Sequence, residues 1–249
     1  MAHAARACLQ LQQLPTMEVE RLDDAHQLDS CDVSPCLGAV ASLLEFCSDS
    51  PHGLSSTRPD MHVACHPRGL PSTWPAMPHT GVDIVESVIA RNKQWFHDVP
   101  EMEFHTLDFS KQPLPQPPAG NTAIFSRDAL QHLSFRIVCD ALENFVSSKA
   151  SHLIVGSYRG DTNRNISVGE YFSIDLLQDP FMLPEPWDVI EEETEDGKLM
   201  MVYRLADLKR KLDFRAMRRR AEKLAAKQAQ EVAMAQRTAA GSSGKPAAT

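Results

Sequence analysis

From Thr80 onward the apolar positions switch repeatedly between short runs and a helical period. Thr80 to Glu86 (Thr-Gly-Val-Asp-Ile-Val-Glu) reads as a buried strand, apolar and β-branched around Asp83. Glu86 to His97 then carries Val88, Ile89, Trp95 and Phe96 on roughly one helical face. Glu103 to Asp108 alternates, with Phe104 and Leu107 among its apolar positions, and predicts a second strand. Lys111 to Asn121 holds four prolines and a glycine, so it predicts a loop. Thr122 to Phe125 is a short apolar strand. Ser134 is placed to cap a helix through Val146, whose Phe135, Val138, Leu142, Phe145 and Val146 recur at helical spacing. Leu153 to Ser157 is the next strand.

This alternation predicts an α/β fold, a Rossmann-like parallel sheet with helices on both faces. Beyond it, Arg159 to Glu170 is a polar loop and Asp179 to Pro186 a proline-bounded turn. Trp187 to Glu191 and Leu199 to Leu205 predict a terminal antiparallel hairpin, turned by Glu195-Asp196-Gly197. Asp207 to Arg237 predicts one long helix. Ala239 to Thr249 is rich in Ala, Gly and Ser and predicts disorder.

The first 78 residues lack such a pattern. Six prolines between Pro51 and Pro78 argue against long regular elements there. Gly38 to Cys47 alone has helical spacing, with Val40, Leu43, Leu44 and Cys47 on one face. The expected division is therefore 1–78 irregular, 79–208 an α/β domain, and 209–249 a basic helix with a tail.

Composition alters this picture in three ways. The 43% hydrophobic content of 249 residues supports a real core, and no apolar run is long enough to span a bilayer. No long apolar stretch opens the chain, so a secretory signal is not expected. The expected location is cytoplasmic, while the Ala-rich Met1 to Leu14, with one Arg, leaves organelle targeting open. Six cysteines in this length do not form a disulfide framework, and the spacing of Cys31, Cys36 and Cys65 is not that of a zinc site; no metal is expected. Charge is unevenly spread. From Arg204 onward there are 12 basic and 4 acidic residues, against 13 basic and 29 acidic before it. A basic tail on an acidic body fits either an acidic partner, nucleic acid included, or a solvated helix.

Parallel sheets hold ligands at the carboxyl ends of their strands. Asp83 stands near such an end, where a carboxylate accepts hydrogen bonds from vicinal ribose hydroxyls or favours the dipole of the following helix. Asp108, within Thr-Leu-Asp-Phe-Ser, either accepts from an exocyclic amine, with Leu107 and Phe109 sandwiching a flat ring, or caps a turn. Ser126, Arg127, Asp128 and His132 follow the next strand and line the same crevice. His132 reads equally as a packed or capping histidine, and Asp128 as a local partner of Arg127. No order of serine, histidine and acid points to a hydrolase.

These elements together resemble the class I S-adenosylmethionine-dependent methyltransferases over about Thr80 to Leu208. Gly-Val-Asp-Ile-Val looks like the family's second-strand acid motif, which implies a ribose contact for Asp83 and a nearby contact for Ile84. Thr-Leu-Asp-Phe looks like its adenine-edge motif, which puts Asp108 on the amine with Leu107 and Phe109 beside the ring. Phe-Ser-Arg-Asp-Ala-Leu-Gln-His-Leu looks like its fourth-strand motif, which implies that Ser126, Arg127 and His132 border the methionine part and the methyl path. The hairpin Trp187 to Leu205 is similar to the family's antiparallel sixth and seventh strands. The implied cofactor is S-adenosylmethionine. One departure stands out: the family's first strand ends in an acid and a Gly-rich turn, and only Met61 to Gly69 lies at a comparable distance, without the acid. The sheet is expected to be incomplete or degenerate at its N-terminal strand.

Tyr158, Arg159, Asn163 and Asn165 follow the fifth strand, where such folds dock an acceptor; a solvated loop is the alternative. Tyr171, Phe172 and Trp187 read as pocket walls or as core. No residue is singled out as catalytic, because methyl transfer can proceed by positioning and desolvation alone. The sequence thus predicts methyl transfer to an unidentified acceptor. Its competitors are a non-catalytic scaffold of the same fold and a nucleic-acid-associated protein working through its basic helix.

Overall fold

The computed structural model describes residues 9–13, 78–116, 122–160, 162–167, 169–192 and 197–242. Seven strands form one sheet: β1 (Leu9–Gln13), β2 (His79–Asp83), β3 (Met102–Thr106), β4 (Thr122–Ser126), β5 (His152–Tyr158), β6 (Asp188–Glu191) and β7 (Lys198–Arg204). Their lateral order is β3-β2-β1-β4-β5-β7-β6. β2 is parallel to β3 and β4 to β5, while β7 is antiparallel to both β5 and β6. The fold is mixed α/β and Rossmann-like, with the expected terminal hairpin.

The centre of the sheet departs from the expectation. Leu9–Gln13 pairs antiparallel with β2 on one side and β4 on the other. A strand therefore lies within the stretch read as irregular, and it runs against its neighbours. Met61 to Gly69 and the helix expected over Gly38 to Cys47 lie outside the described residues. Because β1 opposes both flanking strands, β2, β3, β4, β5 and β6 all run the same way. Their carboxyl ends and the start of β7 share one edge.

Helix α1 (Glu86–Trp95) connects β2 to β3, and α2 (Phe135–Ser147) connects β4 to β5. They cover opposite faces. Val138, Leu142, Phe145 and Val146 of α2 pack with Val82, Ile124, Leu153 and Val155. Ile89 of α1 packs with Phe96 and Phe104 on the other side. Phe104 pairs in register with Gly81, where a side chain's Cβ would sit 2.7 Å from the phenyl ring. Gly81 is thus needed for helix-side packing.

Three expectations about the helices are corrected. The long basic helix is two: α3 (Leu205–Lys211) and α4 (Phe214–Ser242). Leu212 is extended, and Asp213 restarts the helix by accepting the Ala216 N–H at 2.9 Å. Helix α4 then continues through Ala239 to Ser242, residues read as disordered. Ser134 precedes α2 without making a side-chain cap; Asn165 Oδ1 accepts the Phe135 N–H at 2.9 Å instead.

Part of the tail's positive charge is spent within the chain. Arg218 bonds Asp140 at 2.8 Å and also Glu143, both on α2. Arg220 donates to the carbonyls of Pro180 and Phe181. Gln228 donates to the Asn163 carbonyl and accepts from the Asn165 N–H. The helix thereby braces the loop after β5. Among the described residues no helix is long and apolar enough to cross a membrane.

Candidate functional site

The shared carboxyl edge carries most of the residues singled out above. Asp83 closes β2 and is 2% exposed. Its Oδ1 accepts the Val85 N–H at 2.7 Å, which turns the chain into α1. Ile84, next to it, is 58% exposed, an apolar side chain presented at the rim. The Asp83 carbonyl also accepts the Leu107 N–H at 2.9 Å, so the exits of β2 and β3 stay side by side.

Asp108 lies beyond the end of β3, in a turn. Its Oδ1 accepts from the Ser110 N–H at 3.0 Å and hydroxyl at 2.6 Å, and its Oδ2 from Lys111 at 2.7 Å. Burial alone would raise this carboxyl, but the bonds from Lys111 and Ser110 outweigh it and hold it below the ordinary carboxylate range. Phe109 is buried with its ring 5.7 Å from that of Phe145, while Leu107 is only partly buried. The turn is therefore built from local bonds and a core anchor.

Ser126 ends β4 across β1 from Asp83, two strand spacings or roughly 10 Å away. It is buried, and among the described residues its Oγ has no hydrogen-bond partner. Asp128 takes a φ of 56°, a left-handed conformation that aspartate tolerates, and this turns the chain over the sheet edge. The turn opens a charged network. Lys198 Nζ donates to Asp128 Oδ2 at 2.6 Å and lies 3.7 Å from Glu192 Oε2. Arg127 donates to the same Glu192 oxygen at 2.8 Å. The Lys198 and Glu192 side chains are 8% and 7% exposed. Two cations and two anions thus tie the ends of β4 and β6 to the start of β7.

Gln131 lies close to the Asp128 turn. It is 1% exposed, yet among the described residues neither its Oε1 nor its Nε2 has a hydrogen-bond partner. Its Nε2 lies 3.3 Å from where a Cβ on Gly156 would be, and the Asp128 backbone nitrogen 3.7 Å from the same point. Gly156 pairs with Met200, and Tyr158 with Lys198, on one face of β5 and β7. Gln131, Glu192 and Lys198 escaped the sequence reading. Lys198 alone left a signal, since it shares its alternation with inward-facing Met200 and Val202.

On the acceptor side, Tyr158 is the buried last residue of β5, and the Tyr171 hydroxyl donates to its hydroxyl at 2.6 Å. The Tyr171 ring lies 5.3 Å from that of His132. His132 Nδ1 is 3.2 Å from the Glu170 carbonyl, which only accepts, so Nδ1 is the donor of that bond. Arg159 reaches outward to Glu191 at 3.6 Å, both largely exposed. Asn163 is buried, and its amide is used within the loop, on Asp175 and the Asp179 carbonyl. Asn165 is occupied in capping α2. The edge thus brings together Asp83, Leu107 and Asp108 at one end and Ser126, Arg127, His132 and Tyr158 at the other. Asn163 and Asn165 shape the loop behind them.

Among the described residues no group of three or more His, Cys, Asp or Glu is arranged to hold a metal ion. No family model matches the chain, and no curated protein does. Among solved structures it is similar to the crystal structure of the N-methyltransferase NodS from Bradyrhizobium japonicum WM9, at 16% identity and a TM-score of 0.36, over 50% of this chain and 71% of that one.

Proposed function

We propose that the chain binds S-adenosylmethionine along the carboxyl edge of its sheet and transfers the methyl group to an acceptor held near β5. The observation that carries this reading is the meeting, at one edge, of a buried strand-end carboxylate, Asp83, with buried polar atoms on Ser126 and Gln131 that have no hydrogen-bond partner among the described residues. Buried polar atoms are nearly always bonded in folded proteins, so such atoms at a strand-end edge fit a ligand.

The residues fit the cofactor at both ends of the edge. Asp83 has the charge and burial to hold a ribose, with Ile84 and Leu107 flanking the base and Asp108 at its amine. Ser126, Arg127 and His132 border the methionine part. Held by these residues, S-adenosylmethionine would supply an electrophilic methyl on a sulfonium to the acceptor's lone pair, with a neutral thioether as the leaving group. The chain's share is to orient, to exclude water, and to take a proton where the acceptor has one to lose. In its neutral form His132 would take that proton at Nε2, because Nδ1 faces the Glu170 carbonyl.

One observation favours a second reading, a binding protein without catalysis. The central strand runs antiparallel, so the edge receives the beginning of β1 where the resembled family has a strand end and a Gly-rich turn. Ultraviolet crosslinking with methyl-labelled S-adenosylmethionine tests the first reading. Labelling that S-adenosylhomocysteine competes away supports it; an unlabelled chain supports the second.

A further inference from the structure

We propose that the outer face of α4 is a docking surface for the phosphate backbone of duplex nucleic acid. The inference stands apart from the transfer reading, because it uses no residue of the strand edge.

The geometry follows from which side of the helix is taken. Met217 and Ala221 are buried, Leu224 and Ala225 pack against the same core, and Gln228 bonds the loop after β5. The helical repeat puts these residues on one side. Arg215, Arg219 and Lys223 recur every fourth residue on the opposite side, about 6 Å apart along the axis. Arg237 stands about five turns beyond Arg219 and so returns to that side. All four side chains are exposed. Among the described residues the ion pairs of this helix belong to Arg218, Arg220, Glu222, Lys227 and Glu231. Its cations are thereby sorted: Arg218 and Arg220 serve the fold, and the outer row faces solvent.

The flanking acids have other partners. Asp213 lies in the field of Arg219 and Arg215 but bonds the Ala216 N–H, and Glu222 is 3.7 Å from Arg136. The whole chain has a net charge of −8, yet the outer row is held off the acidic body by the helix's own diameter of about 10 Å. That exceeds the screening length of about 8 Å at physiological salt.

Candidate occupants differ in what they ask of this face. A protein interface centres on apolar and aromatic anchors, whereas between its cations the row offers Ala226, Gln230 and Ala233. The exposed apolar residues of α4, Val232 and Met234, lie off the row. A membrane surface takes up a helix by its apolar side, and that side of α4 is packed on the core. A single strand asks for aromatic platforms, and α4 has no aromatic residue after Phe214. A duplex backbone asks for cations spaced along a rigid support, and arginine forks match its phosphate oxygens.

The test is fluorescence anisotropy of the full chain, without cofactor, on labelled DNA and RNA duplexes of about 20 base pairs between roughly 50 and 200 mM salt. Saturable binding is expected, with a slope of log affinity against log salt of about −3 to −4, for three to four phosphate contacts. Arg219→Gln combined with Lys223→Gln should reduce that slope by about 2. Lys93→Gln combined with Lys149→Gln removes the same charge from exposed positions elsewhere and should leave it unchanged. Binding of either duplex bears out the surface, and the tighter of the two names the nucleic acid. No saturable binding at the lowest salt overturns the proposal, as do equal losses from the two variant pairs. Tighter binding of a single strand of the same length, or displacement of the duplex by polyglutamate at matched charge, overturns the choice of occupant. The slope of the unaltered chain decides the matter should the helix variant fold poorly.

Discussion

Lys198 Nζ lies 2.6 Å from Asp128 Oδ2, joining the first residue of β7 to the turn that follows β4, 70 positions earlier. The ammonium is almost fully buried, and Asp128 and Glu192 compensate it. Removing the cation leaves Glu192 buried with Arg127 alone. Lys198→Met is expected to cost about 3 kcal/mol in urea unfolding, the scale of breaking a buried pair. A loss within the noise of the measurement would show that the network does not hold the edge together.

Asn165 is expected to matter to α2 where Ser134 does not. Its Oδ1 accepts the Phe135 N–H, whereas the Ser134 side chain makes no cap. Asn165→Ala should therefore destabilise the fold by about 1 kcal/mol, and Ser134→Ala by much less. Equal losses in denaturant unfolding would place the cap elsewhere.

Stability should fall as the solution is acidified through the histidine range. Burial holds His79 and His152 below their ordinary value of 6.5, with the Glu101 carboxylate opposing it at the first and the Arg204 cation adding to it at the second. A depressed folded value means that the unfolded chain takes up these protons first. The contribution is thus present above 6.5 and is lost as pH drops through and below it. His152→Gln should flatten the slope of unfolding free energy against pH below neutrality. An unchanged slope would remove His152 from the account.

Periodicity carried the strands and helices after Thr80 because their apolar sets are local and strong. Val82, Ile124, Leu153 and Val155 line one face of the sheet, and the α2 residues meet them at helical spacing. What the sequence hid was long-range. Leu9–Gln13 is a short polar segment whose place depends on two strands far along the chain, so nothing in Leu-Gln-Leu-Gln-Gln marks it as central. The division of the tail helix turned on Asp213, which reads as an ordinary helix-surface acid until it restarts the helix. At the site, Asp83 and Ser126 were legible as strand ends. Gln131 and Glu192 were not, because an amide without a partner among the described residues and a carboxylate meeting an arginine 65 positions away leave no spacing to read.

The most direct measurement is calorimetry of the full chain with S-adenosylmethionine, repeated on Asp83→Ala after circular dichroism has shown that the variant is folded. The account predicts saturable heat for the unaltered chain and binding weakened by about 1–3 kcal/mol in the variant, the scale of a lost charged hydrogen bond in a buried site. No heat from the unaltered chain, or equal affinity in both, would contradict it.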